Sequence, residues 1–228
     1  MSRSISPVLA AFGATLLAAA ALASTHYSSG PLPSKTGAPA VGAHPQEPTC
    51  TECPLTFDGE GQPIPNLNVA SGHLSVLDLP AYYVPGRTYT LRVELGCDSS
   101  AVAIVPRWGF QLTAVDAATG ATAGTFSVRD PDSMQVVHLG AGPWSDRWYV
   151  EQNVLGAHDG ELGPVTWSFD WTAPASPAGS VTFYAAGNAA NGSEEPSGDW
   201  IFTTSATVLD TTTAVRRSSW GAVKSGRR

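Results

Sequence analysis

Basic side chains are scarce in the body of this 228-residue sequence. Of its 12 Lys and Arg residues, one lies near the start and five lie in the last 13 positions: Arg3, Arg216, Arg217, Lys224, Arg227 and Arg228. Six basic residues therefore remain in between, against all 19 Asp and Glu residues. A body of this charge does not attract a phosphate backbone, which argues against a nucleic-acid partner. An acidic surface is instead compatible with solubility or with cation binding.

Sequence signatures of catalysis are also missing. The chain has no G-x-S-x-G nucleophile elbow, no H-E-x-x-H zinc motif and no phosphate-binding loop. Four of its five histidines are far apart in sequence, and no two of them have the spacing of metal ligands or of a catalytic pair. These four are His44, His73, His138 and His158. We therefore predict no catalytic residues, no cofactor and a protein that is not an enzyme. A site assembled by folding from distant Asp, Glu and Ser residues would leave no such signature.

Long hydrophobic runs are absent after residue 23, so no transmembrane helix is expected in the rest of the chain. Residues 1–23 are predicted to be a signal peptide. Arg3 supplies the positive start, an Ala-rich apolar run follows, and Ala21-Leu22-Ala23 gives a small-x-small cleavage site. An uncleaved anchor is the alternative. In both cases the body is exported to the periplasm, the cell surface or the extracellular medium.

Helical periodicity is missing as well, and alternation takes its place. Four apolar residues of 165–172 alternate with polar ones: Val165, Trp167, Phe169 and Trp171. A strand points alternate side chains to opposite faces, so this one has a large apolar face. A second alternating run covers 181–186. The Pro- and Gly-containing stretch between the two runs predicts either a β-hairpin or a cross-sheet connection.

The spacing of such runs is typical of a β-sandwich. The predicted strands are 69–79, 88–95, 108–115, 121–128, 134–139, 147–154, 165–172, 181–186 and 200–209. The Ser-, Gly- and Pro-rich residues 24–48 predict an extended linker. We assign residues 49–210 to a single sandwich domain, and residues 211–228 to a basic flexible tail.

Several motifs occur in the order seen in Reeler domains, which are similar to the N-terminal domain of reelin. Residues 167–174 read WSFDWTAP, 179–192 read GSVTFYAAGNAANG and 198–202 read GDWIF, which resembles the closing half of that domain. Upstream, TGAP (36–39) precedes TCTEC (49–53), and YVPGRTYTL (83–91) precedes WGFQL (108–112). The match covers roughly residues 35–209 and is closest to secreted bacterial proteins of the choice-of-anchor V type.

This resemblance implies an immunoglobulin-like antiparallel β-sandwich. It also implies a secreted or cell-surface interaction or adhesion module without catalysis. We expect its partner to be an extracellular protein or a glycan, and the chain to be monomeric. Fold alone does not give function, so this expectation rests on the family.

The three cysteines are Cys50, Cys53 and Cys97. An exported protein reaches an oxidising compartment, where a disulfide is favoured. It would join Cys50 to Cys53, which are close in sequence, or Cys97 to one of them. Many bacterial relatives have C-x-x-C-H here, the c-type haem attachment signature, so a redox or electron-transfer protein is the alternative function. Pro54 stands where that His would be, and the proximal iron ligand is therefore missing.

Oxygen ligands are concentrated in the loop 187–199. They are Asn188, Asn191, Glu194, Glu195 and Asp199. Calcium binds such oxygens in irregular loops, so Asn188, Asn191 and Asp199 are candidate ligands of a calcium-dependent adhesin. A solvated loop is the simpler interpretation. A melting temperature unchanged by chelator would count against the adhesin.

Two further groups of residues are candidates for binding. The aromatic residues Tyr82, Tyr83, Trp144 and Trp148 are candidates for a sugar- or protein-binding face, with partial burial as the alternative. Relatives have a Tyr-x-x-His pattern where this chain has Tyr149 and Gln152, and the change to Gln weakens any role transferred to that position.

Overall fold

The structure is a computed structural model that describes residues 29–52, 56–57, 63–64, 66–98, 106–193 and 198–211. The strands are β1 (Thr56–Phe57), β2 (Pro63–Ile64), β3 (Gly72–Leu77), β4 (Tyr82–Tyr83), β5 (Thr88–Cys97), β6 (Arg107–Asp116), β7 (Thr125–Val128), β8 (Met134–His138), β9 (Trp148–Gln152), β10 (Val165–Thr172), β11 (Ser180–Ala190) and β12 (Trp200–Asp210). Two short 3-10 turns span Cys50–Glu52 and Val154–Ala157. The predicted signal peptide, and the predicted tail after Thr211, lie outside the described residues. In the described ranges no helix has the length and hydropathy needed to cross a membrane.

The longer strands lie in two sheets that pack face to face. One has the order β3-β5-β10-β7 and the other β4-β12-β11-β6-β9-β8, while β1 and β2 pair separately. The pairs are antiparallel apart from β12 with β4. The first order corresponds to strands A, B, E and D of an immunoglobulin domain, and β12-β11-β6 corresponds to G, F and C. The prediction of an all-β, immunoglobulin-like sandwich is confirmed.

The stretch between β10 and β11 crosses from one sheet to the other. β10 pairs with β5 and β7, whereas β11 pairs with β6 and β12. The structure therefore has the cross-sheet connection, one of the two arrangements that the sequence allowed. Gly179 ends the connection with a φ of 73°, a left-handed conformation that favours glycine.

The apolar face of β10 lies at the centre of the core. Its four members are at most 4% exposed, as the alternation predicts: Val165, Trp167, Phe169 and Trp171. The Trp171 ring meets the Phe183 ring edge-on, with 5.0 Å between centroids, and its Nε1 donates to the Ala123 carbonyl at 2.9 Å. The Trp167 Nε1 donates to the Gly156 carbonyl at 2.7 Å. Both rings thus bury apolar surface without leaving the indole donor unpaired.

The predicted strands agree closely with the observed ones. β5 and β11 continue past their predicted ends, to Cys97 and Ala190, and β3 is shorter than predicted. The strands that the sequence missed have two residues each: β1, β2 and β4. Two residues are too few to show alternation.

Residues 29–49, here called the N-terminal strap, lie across the outer face of the six-stranded sheet. The strap closes on itself through a bridge between Thr36 and Thr49. Side chains of β6 and β9 that point away from the sandwich core are buried beneath it: Gln111, Thr113, Tyr149 and Glu151. Most of the strap belongs to the segment that the sequence assigned to an extended linker. It packs on the sheet, while the domain boundary at residue 49 stays a prediction.

Replacing Trp171 with Ala tests the central position of this side chain. The change removes a fully buried ring and leaves the Ala123 carbonyl without its donor. We expect the free energy of unfolding to fall by about 3–5 kcal/mol in urea denaturation. The control Trp148→Ala removes a ring that is 41% exposed and should cost roughly 1 kcal/mol or less. Equal losses would contradict the assignment.

Candidate functional site

A buried ion pair fixes one end of the strap to the sheet. Glu47 of the strap and Arg147, just before β9, are both fully buried, and the Arg147 Nη1 lies 2.6 Å from the Glu47 Oε1. The Tyr149 hydroxyl donates to the same oxygen at 2.7 Å, and the Thr36 hydroxyl donates to Oε2 at 2.6 Å. Burial and the neighbouring Glu47 raise the pKa of Tyr149, so its hydroxyl remains a donor. The contact holds strap residues 36 and 47 on β9.

The Arg147 guanidinium makes structural contacts on the strap side of the sheet. Its Nε donates to the Gly120 carbonyl at 2.9 Å, while its buried Nη2 has no hydrogen-bond partner among the described residues. Separating such a pair leaves an uncompensated charge in the interior, which is strongly unfavourable. The pair therefore stabilises the strap only while both partners are present.

A second polar cluster holds the first part of the strap, around Glu151 of β9. The Glu151 carboxylate is 1% exposed and accepts from Gln111 Nε2 at 2.7 Å and from Gln135 Nε2 at 2.8 Å. The same two amides also donate to strap carbonyls, those of Leu32 and Ser29. Burial raises the pKa of Glu151 to about 7, against the effect of the two amide donors.

Gln152 has a structural role. Its Oε1 accepts from the Phe110 backbone N–H at 2.7 Å. A Cβ on Gly109 would lie 2.7 Å from the Gln152 Nε2, so this side chain packs directly on the β6 backbone. The side chain is buried against β6 and turned away from solvent.

The cysteines do not form a site within the described residues. No disulfide joins Cys50 to Cys97, and Cys53 lies outside the described residues, so the predicted pairing stays a prediction. Cys97 ends β5 with a half-buried thiol whose pKa is raised by burial. A low thiolate fraction makes a poor nucleophile. The surrounding surface is a shallow groove lined by Ser71, Gly72, His73, Gly96, Cys97, Asp98, Gly163 and Pro164.

The candidate calcium ligands do meet, but they bond one another. The Asp199 carboxylate is 9% exposed and accepts from Asn188 Nδ2 and from the Asn191 N–H, each at 3.0 Å. Burial raises the pKa of Asp199, with the two donors acting against it. Within the described ranges no group of three His, Cys, Asp or Glu side chains is placed to hold a metal. Glu194 and Glu195 lie outside those ranges, and calcium binding stays a prediction.

The four histidines occupy separate places. Three of them face a carboxylate: His44 faces Asp146, His73 faces Glu94 and His158 faces Glu161. The His138 ring packs on Trp148, with 4.2 Å between centroids. They are placed on different loops and strands, so they do not assemble a common catalytic site.

The aromatic candidates are split between buried and exposed positions. Tyr83 is fully buried, whereas Tyr82 of β4 is 47% exposed and Trp148 of β9 is 41% exposed. Trp144 is partly buried, and its Nε1 donates to the Pro45 carbonyl. β4 and β8, the neighbour of β9, are opposite edges of the sheet, so these residues do not form one continuous face.

Among the described residues, the two most exposed large apolar side chains lie on the loop from β9 to β10. Leu155 is 76% exposed, Leu162 is 78% exposed and Val154 is 56% exposed. We call these three residues the apolar platform. Lone exposed apolar residues are ordinary on protein surfaces, but three within nine positions of one loop are a candidate contact surface.

The loop that carries the platform is fixed at several points. The Asn153 Oδ1 accepts from the Leu155 N–H at 3.0 Å. The Gly156 carbonyl accepts from Trp167, and the Glu161 carbonyl accepts from Trp108 Nε1 at 2.9 Å. A Cβ on Gly156 would collide with the Ser133 carbonyl oxygen, so the loop also sits tightly on the turn before β8. The leucines therefore project from a rigid support.

Exposed acidic side chains lie on the platform loop and on the turn bonded to it. Asp159 and Glu161 belong to the same loop, and Asp130 and Asp132 belong to the neighbouring turn; all four residues are exposed. The Asn153 side chain ties this turn to the loop by donating to the Pro131 carbonyl at 3.1 Å. Arg107 pairs with Asp159. The loop and its neighbouring turn thus carry exposed carboxylates as well as the exposed apolar residues, and we call these four carboxylates the rim of the platform.

Comparisons with known proteins extend the description of the fold. No family model matches the sequence, and no curated protein matches it. The human F-spondin reeler domain is similar at 18% identity over 61% of this chain and 89% of that chain, with a TM-score of 0.40. A cohesin module from a Clostridium perfringens family 33 glycoside hydrolase matches at 12% identity over 62% of this chain and 98% of that one, with a TM-score of 0.37. AvmM, which catalyses macrocyclization in alchivemycin A biosynthesis, matches at 11% identity over 69% and 95% of the two chains, with a TM-score of 0.38. All three similarities concern the fold.

Substitutions in the buried ion pair should be non-additive. Glu47→Gln leaves the Arg147 charge buried without a counter-charge, and Arg147→Met does the same to Glu47. Each single change should lower the free energy of unfolding by about 3–5 kcal/mol. The double variant removes both charges and should recover most of that loss. Urea denaturation of all four proteins gives the coupling.

The exposed pair of Arg92 and Asp78 is the matched control for this cycle. Asp78→Asn should leave the urea midpoint nearly unchanged because water screens exposed charges. A Glu47→Gln variant as stable as Asp78→Asn would show that the strap is not anchored by the buried pair.

Proposed function

We propose that the chain is an exported, non-catalytic interaction module of the Reeler-like type, which binds a protein partner through the apolar platform. The observation that carries the proposal is the exposure of Leu155 and Leu162 on a loop fixed by two indole donors. Apolar side chains held rigidly at a surface lose little conformational entropy on binding, so their burial is converted efficiently into affinity. The predicted signal peptide and the resemblance to secreted Reeler-like proteins support an extracellular or cell-surface location.

The rim of the platform indicates the chemistry of the partner. The exposed carboxylates Asp130, Asp132 and Glu161 favour a segment that presents bulky apolar side chains beside Lys or Arg. Complementary rim charges accelerate association and select the partner, while the central apolar contacts supply most of the affinity. Binding should therefore weaken as salt concentration rises.

Panning a displayed library of random twelve-residue peptides against the full chain tests the platform. We expect enrichment of peptides that combine large apolar residues with Lys or Arg. The double variant Leu155→Ser/Leu162→Ser should bind these peptides at least about tenfold more weakly, since burial of each leucine contributes on the order of 1.5–3 kcal/mol. Titration calorimetry with the enriched peptides measures the loss.

Val69→Ser is the matched control, because Val69 is 55% exposed and lies before β3, remote in sequence from the platform. It should leave peptide affinity unchanged. Peptides that bind the double variant as tightly as the unchanged chain, or a library that yields no enriched sequence, would contradict the platform as the binding surface. Unaltered melting temperatures of the variants would confirm that the loss is local.

A further inference from the structure

The first part of the strap lies directly on the Glu151 carboxylate. Gly30 has a φ of 102°, and a Cβ there would come within 2.5 Å of the Glu151 Oε1 and 2.7 Å of the Gln152 carbonyl oxygen. Only glycine fits this close approach without displacement of the strap. The strap backbone therefore excludes water from the carboxylate.

Two glutamine side chains join the strap to this carboxylate. Gln111 donates from Nε2 to both Glu151 and the Leu32 carbonyl, and its Oε1 accepts from the Lys35 N–H at 2.7 Å. Gln135 donates from Nε2 to both Glu151 and the Ser29 carbonyl. The hydrogen bonds of strap residues 29–35 thus form one network with Glu151.

Within the part of the chain that the structure describes, no cationic side chain pairs with the Glu151 carboxylate. β6 and β8 face it with the neutral amides Gln111 and Gln135. On β9 the nearest residue of the same face is Tyr149, which belongs to the ion pair of Glu47 and Arg147. Within strap residues 29–35 the charged residue is Lys35, whose backbone N–H contacts Gln111. On β8, His138 lies at the far end of the strand. Burial has the largest influence on the Glu151 pKa and raises it, while the hydrogen bonds from Gln111 and Gln135 lower it.

We propose that strap residues 29–35 are a pH-dependent latch, closed over Glu151 while its carboxyl group is protonated and released when that group ionises. The Glu47 end of the strap stays bound to Arg147 in both states. Release exposes the outer face of β6, β8 and β9, with its row of amide and carboxyl side chains, to solvent. A buried carboxylate without a cation is unfavourable, and opening the strap hydrates it.

Linkage gives the direction and the pH window. The closed state binds the proton more tightly, with a pKa of about 7 against the ordinary 4.5 of a Glu carboxyl. Closure is therefore fully favoured below about pH 4.5 and is lost as pH rises through about 7. Between pH 5 and pH 8 the opening equilibrium constant should rise by up to about 70-fold.

Hydrogen exchange of the Lys35 amide reports the latch, because that N–H donates to the Gln111 Oε1 in the closed strap. Its protection factor, corrected for the intrinsic pH dependence of exchange, is measured by NMR on the full chain at pH 5 and pH 8. We expect it to fall by at least about tenfold in the unchanged chain. The Gly37 N–H, which donates to the Pro48 carbonyl inside the Glu47 end, is the internal control and should change less than about threefold.

Glu151→Gln keeps a neutral side chain at every pH and should abolish the fall. Gly30→Ala should release the strap at both pH values and give low protection throughout. A Lys35 protection factor that is the same at pH 5 and pH 8 in the unchanged chain, or that falls equally in Glu151→Gln, overturns the proposal. If Glu151→Gln does not fold, the carboxyl carbon of Glu151 is titrated by NMR in the unchanged chain. Its midpoint must then coincide with that of Lys35 protection, and separate midpoints overturn the latch.

Discussion

Burial of the aromatic face of β10 between the two sheets is the constraint on which the rest of the structure depends. Trp167 and Trp171 each bring an indole N–H into an apolar interior, and each donor must find an acceptor there. The acceptors are loop carbonyls, those of Gly156 and Ala123. Core packing therefore fixes the loops at the ends of the sandwich. Leu155 immediately precedes Gly156, so the exposed platform is positioned by a residue buried in the core.

The outer face of the six-stranded sheet is stabilised by a different kind of interaction. Glu47 and Glu151 are both carboxylates buried beneath the strap. Glu47 faces a guanidinium at 2.6 Å, whereas the partners of the Glu151 carboxylate among the described residues are neutral amide donors. The first contact pairs two opposite charges, whereas burial of Glu151 favours the uncharged form of its carboxyl group. Both contacts fix the strap to β9, and the proposed latch concerns the Glu151 contact.

The sequence predicted the sandwich well because alternation is a local property. The polar contacts beneath the strap could not be predicted in the same way. Arg147, Tyr149 and Glu151 lie on the sheet face that ordinarily meets solvent. A pattern of polar residues does not reveal that a strap covers this face. The candidates Asn188, Asn191 and Asp199 were correctly grouped, yet their mutual hydrogen bonds follow from side-chain geometry that spacing does not contain. The sequence did not reveal the platform, because Leu155 and Leu162 lie in a loop whose residues follow no periodic pattern. Their exposure depends on Trp167 and Trp108, which hold the loop backbone by donating to its carbonyls.

β9 connects the two surfaces. Its last residues are Glu151 and Gln152, and Asn153 follows with a side chain that accepts from the N–H groups of the platform turn. Gly30 of the strap lies against both the Glu151 carboxylate and the Gln152 carbonyl oxygen, and Gln152 is two residues before Val154 of the platform. A partner bound at the platform that favoured one position of Asn153 would also shift the strap equilibrium, and by thermodynamic reciprocity the state of Glu151 would shift the affinity for that partner.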